Sequence, residues 1–128
     1  MAYNLTKQVK YSFNEALEKT KEALNKEGFG VISEIDLKTK FKEKLDVEFR
    51  EYRILGACNP ALAHQAIEKE DKIGVLLPCN ILVQEREGEM AEITAINPME
   101  TMSSVNNPGL HAIAIEVSQK LQRVIKSL

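Results

Sequence analysis

The stretch FREYRILGACNPALAHQAIEKEDKIGVLLPCN, Phe49 to Asn80, decides how this chain is read. Residues 49–57 read as a strand. Asn59-Pro60 then opens a helix over residues 60–69: Asn is a good N-cap, and proline at the first helical position gives up an amide that would be free anyway. Residues 73–77 are almost wholly apolar and read as a further strand, buried on both faces; Pro78 interrupts it. If the two strands are parallel neighbours, the right-handed crossover rule carries both their ends to one edge of the sheet. Cys58 and Cys79, 21 positions apart, would then be neighbours.

On the N-terminal side, residues 3–10 alternate as a strand does, with Tyr3, Leu5 and Lys7 on one face. Ser12 with Glu15 three residues later is a capping box. Phe13, Ala16, Leu17, Thr20 and Leu24 share one helical face, and Gly28 ends that helix in the left-handed conformation. Residues 29–35 read as a strand, and Asp36 caps a short helix over residues 37–45 with Leu37, Phe41, Lys44 and Leu45 roughly on one side.

On the C-terminal side, residues 80–86 and 90–96 flank Glu87-Gly88-Glu89 as an antiparallel hairpin. Residues 97–107 read as a polar loop. Asn107-Pro108 starts the last helix, where Leu110, Ile113, Val117, Leu121, Val124 and Leu128 keep a helical period. The order is β-α-β-α-β-α-β-β-β-α. That is an α+β fold in two layers: a mixed, partly antiparallel sheet with helices packed mainly on one face. Nothing in the chain resembles a linker, so residues 1–128 are expected to form one domain.

The bulk composition excludes some functions. With 17 basic and 19 acidic residues the net charge is −2, which argues against a nucleic-acid binder held by phosphate contacts. The lysines between Lys38 and Lys44 stand among Asp36, Glu43 and Asp46 and read as a solvated helix face. No apolar run reaches the length of a membrane span, and the first residues lack a signal-peptide pattern. The expected setting is the cytoplasm, where thiols stay reduced.

Chemistry centres on two Cys-Asn pairs, Cys58-Asn59 and Cys79-Asn80, each following an apolar segment. These four are the candidate ligand-binding residues, and Cys58 and Cys79 are the candidate metal ligands. The pair can bind a soft metal such as copper(I) or zinc, cycle between dithiol and disulfide, or supply a nucleophile. Cys58 precedes a helix N-terminus, where the dipole favours a thiolate. Free cysteines are also ordinary small core residues. No residue is assigned a catalytic role, and no cofactor is indicated. His64 and His111 read as surface residues. Met99 and Met102, in the polar loop, are either thioether ligands or packing residues. That loop is expected to close part of a pocket at the cysteine edge.

Gly28-Phe29-Gly30-Val31, Ile54-Leu55-Gly56-Ala57-Cys58-Asn59-Pro60 and Ile73-Gly74-Val75-Leu76-Leu77-Pro78-Cys79-Asn80, in this order, resemble the signature of the bacterial and archaeal family called domain of unknown function 302. The resemblance runs over essentially the whole chain. It implies a compact α+β fold that forms homodimers, and it implies no activity. The function expected on these grounds is a non-enzymatic homodimeric domain that binds a small ligand or a soft metal near the two Cys-Asn segments. A thiol redox or cysteine-dependent enzyme and a purely structural or partner-binding module are the alternatives.

Overall fold

The computed structural model describes residues 2–128. Strand β1 (Asn4–Val9) leads to helix α1 (Phe13–Lys26), β2 (Gly30–Asp36), α2 (Leu37–Leu45), β3 (Tyr52–Cys58) and α3 (Pro60–Lys69). A 3₁₀ segment (Asp71–Leu76) follows, then β4 (Cys79–Arg86), β5 (Met90–Ile96), a single turn α4 (Pro98–Thr101) and α5 (Pro108–Lys126). The fold is α+β, built on one five-stranded sheet in the order β1-β5-β4-β3-β2.

Every neighbouring pair of strands in that sheet is antiparallel. This corrects the expected mixed sheet. Residues 73–77 form no strand: 73–76 belong to the 3₁₀ segment and Leu77 caps it, so the parallel pair and the right-handed crossover do not exist. Ile73 is buried at 2% exposure, whereas Val75 stands 86% exposed. A short apolar run has no period that separates a strand from a buried helical turn, and here the run turns one side inward. The chain enters β4 at Cys79 instead, through a cis Leu77–Pro78 peptide bond.

The local signals elsewhere meet their expected elements. Ser12 Oγ accepts from the Glu15 amide, Asp36 from Thr39, Asn59 from Leu62 and Asn107 from Gly109, each capping the helix that follows. Gly28 takes φ +84° at the end of α1. Residues 97–107 are less loop-like than expected, because Asn97 caps the turn α4.

Register explains the layers. Leu55, Ala57, Cys79, Ile81, Val83, Ala91, Ile93 and Ala95 alternate onto one face and are buried. That face packs under α1, whose buried stripe runs from Phe13 to Leu24, and α5, buried from Leu110 to Ile125. Leu24, Leu55, Ile81, Ile93 and Leu121 are fully enclosed there. Burying such side chains supplies roughly 1.5–3 kcal/mol each. Helix α2 has no buried residue; Phe41 instead meets Phe49 edge-on, with ring centroids 5.1 Å apart.

Candidate functional site

The site lies where β3 ends and β4 begins. Ala57 pairs with Cys79 across the ladder, so Cys58, the next residue along β3, stands beside it. An antiparallel pair brings the end of one strand to the start of its neighbour. The cysteines therefore share one end of the sheet, by a geometry opposite to the crossover expected from the sequence. Both thiols are free: Cys79 is buried and Cys58 partly exposed.

A cavity of about 270 Å³ opens at this place, between the strand ends, α3 and α5. Cys58, Asn59 and Cys79 line it, together with Phe29 and Leu62. Met102, 9% exposed, closes part of it from the segment after α4. No charged side chain lines the cavity. Asn80 does not line it: that residue pairs with Gly56 on the opposite, exposed face of the sheet.

Asn59 has structural work at the rim. Its Oδ1 accepts from the Leu62 amide at 3.2 Å, and its Nδ2 lies against Gly28, where an added Cβ would come within 3.0 Å. Gly56 is held equally tightly. A Cβ there would meet Ser33 Oγ at 2.2 Å and Pro78 Cγ at 2.8 Å. The glycine before Ala57 thus lets Pro78 cross β3 closely enough to place Cys79 beside Cys58.

Burial in apolar surroundings, and secondly the nearby Cys58, push the Cys79 pKa up to about 11. The thiol is kept neutral. Neither histidine lines the cavity: His64 sits on the solvent side of α3, 3.1 Å from Glu68, and His111 borders a separate cavity of about 140 Å³ with Met99 and Met102. The structure thus divides the two loop methionines. Met102 faces the cysteine cavity and Met99 does not. The part played by Met102 could not be read from spacing, since it rests on how residues 97–107 fold back onto the sheet end.

A further cavity of about 220 Å³ lies between α1 and α5, lined by Lys19, Glu22, Lys26, Glu27 and Arg123 among others. Its charges are of both signs, and Arg123 lies 3.0 Å from Glu27, which holds that carboxyl below its ordinary range by hydrogen bonding. This reads as a solvated surface cleft. Among the described residues no group of three or more His, Cys, Asp and Glu could hold a metal ion, and no helix is long and apolar enough to cross a membrane.

The family model described as Domain of unknown function DUF302 matches residues 5–128. The crystal structure of an uncharacterized conserved DUF302 protein from Bacillus stearothermophilus is similar throughout, with a TM-score of 0.90 at 28% identity over 98% of each chain. None of the curated proteins compared with the chain matches it.

Proposed function

The chain belongs to the family of domain of unknown function DUF302, and from the site it builds we propose a non-enzymatic binding domain that takes a small, uncharged, apolar ligand. The observation that carries this reading is the cavity of about 270 Å³ beside Cys58 and Cys79, with no charged lining. Its size lies between a cavity of about 150 Å³ that admits benzene and the lower end, about 300 Å³, of ordinary ligand pockets. A buried charge on the ligand would lack a counter-ion and cost several kcal/mol, so the buried part of the ligand is neutral.

Two features weigh against thiol catalysis. No histidine lines the cavity to act as a base, and Cys79 is held as a thiol rather than a thiolate. We further propose that the chain works as one domain over residues 1–128, as a homodimer, in the cytoplasm. Exposed Ile32 and Ile35 on the edge strand β2 support self-association. Two free thiols suit a reducing compartment.

The test uses N-phenyl-1-naphthylamine, a neutral apolar dye that brightens when shielded from water. The parent protein should bind one dye per chain. Ala63→Trp projects a bulky ring from α3 into the cavity and should abolish binding, with the melting temperature kept. A parent that does not bind the dye, or an Ala63→Trp variant that binds it equally well, overturns the reading.

A further inference from the structure

Three sulfur-bearing side chains, from three separate parts of the chain, line one cavity. Cys58 comes from the end of β3, Cys79 from the start of β4 and Met102 from the turn after α4. We infer that these residues form a site for one soft monovalent ion, copper(I) or silver(I), held by the two cysteine sulfurs and the Met102 thioether.

Donor chemistry selects the ion. Thiolate and thioether sulfur favour copper(I). Structural zinc takes four nitrogen, sulfur or oxygen ligands, and calcium and magnesium require oxygen. The cavity has no His, Asp or Glu in its lining to complete such a set. Among the described residues no cluster of three or more of those groups and cysteine occurs anywhere.

Charge points the same way. A monovalent ion bound by one thiolate is neutral, whereas a dication in the same apolar surroundings is not compensated by any nearby carboxylate. Binding involves no electron transfer. As the metal–sulfur bond forms, the S–H bond breaks and its proton passes to solvent: RSH + M⁺ → RS–M + H⁺. Met102 donates a lone pair and loses nothing. The second cysteine enters as a thiol through a sulfur lone pair and keeps its proton, so the loaded site stays neutral.

Met102 also separates this proposal from the apolar-ligand reading, on which it does not depend. Met102→Leu keeps the volume and apolar character of that wall and removes only the sulfur. The experiment offers copper(I), kept reduced by ascorbate without oxygen, to the protein in competition with the chromogenic chelator bicinchoninate. The parent should take one equivalent of copper(I) and should not retain zinc through gel filtration. Met102→Leu should bind copper(I) at least roughly tenfold more weakly, on the scale of losing a supporting contact to a metal site, with the melting temperature kept.

X-ray absorption at the copper edge of the loaded parent provides a readout that needs no variant: three sulfur neighbours are expected. Failure of the parent to take copper(I), parental affinity in Met102→Leu, retention of zinc, or a shell of two sulfurs or containing nitrogen or oxygen would each overturn the site. Loss of dye binding in the parent alone would strike only the apolar-ligand reading.

Discussion

Ala57 of β3 faces Cys79 of β4 across an antiparallel ladder, and this single pairing is what makes Cys58 and Cys79 neighbours. The connection between them comprises α3 and the 3₁₀ segment, and it returns the chain to the end of the sheet it left. The pair therefore depends on how closely β4 can approach β3 at its first residues. Gly56 governs that approach from one side and Pro78 from the other.

Gly56→Ala should destabilise the protein by about 1–3 kcal/mol, the usual cost of overpacking. The added methyl would stand 2.2 Å from Ser33 Oγ and 2.8 Å from Pro78 Cγ. Ser33→Gly in the same chain should restore only part of the loss, because the proline ring remains. Urea unfolding of the single and double variants measures both. A Gly56→Ala protein as stable as the parent would mean that Pro78 moves freely, contrary to the packing described.

Alkaline pH should weaken the fold through Cys79. Its folded pKa is raised from 9.0 to about 11, so the folded state holds the proton more tightly than the unfolded chain does. The associated stability is whole below about pH 9 and is lost as pH rises towards 11, by about 2–3 kcal/mol. Cys79→Ala starts less stable, having lost a buried sulfur, but lacks this component of the decline. Denaturation curves from pH 8 to 11 compare the two slopes, and equal slopes would assign the alkaline loss to other groups.

Asn97 binds three parts of the chain. Its Oδ1 accepts from the Met99 amide and the Ser118 hydroxyl, each at 3.2 Å, and its Nδ2 donates to the Ala2 carbonyl at 3.3 Å. It is 4% exposed and Ser118 2%. Asn97→Ala should cost about 1–3 kcal/mol, since it removes a cap and strips a partner from a buried hydroxyl. Adding Ser118→Ala should cost less than the sum of the two single changes, as expected for groups that share one bond. Strict additivity in a thermal double-mutant cycle would count against the contact.

Light scattering of dilute protein should return twice the chain mass. Ile35→Lys, which puts a charge on the exposed edge strand β2, should shift the mass towards the monomer. A parent that is monomeric at every concentration would remove the homodimer from the proposal.

Much of the fold was legible in the sequence because it is written in short-range contacts. Ser12, Asp36, Asn59 and Asn107 each cap a helix through a bond to an amide two or three residues ahead, so their meaning survives without tertiary context. The stripes on α1 and α5 were readable because a 3.6-residue period repeats over 14 and 19 residues. Residues 73–77 offered no such repeat, and packing made 73–76 part of a 3₁₀ turn with Ile73 inward and Val75 outward.

The candidate site divides along the same line. That Cys58 and Cys79 each follow an apolar segment and precede asparagine is a property of the sequence alone. That they meet was expected through a parallel crossover, and the structure brings it about through an antiparallel ladder. That Asn80 faces away follows from strand register, because it adjoins Cys79 on β4 and neighbouring strand residues point to opposite faces, whereas Asn59 lies past the end of β3 and lines the cavity as the cap of α3. Met102 joins the cysteines only in three dimensions, because two strands and a helical turn separate it from Cys79 along the chain, and α3 and the 3₁₀ segment as well from Cys58. Local chemistry determined where helices start and which side they bury; strand pairing, which is non-local, decided which side chains share the cavity.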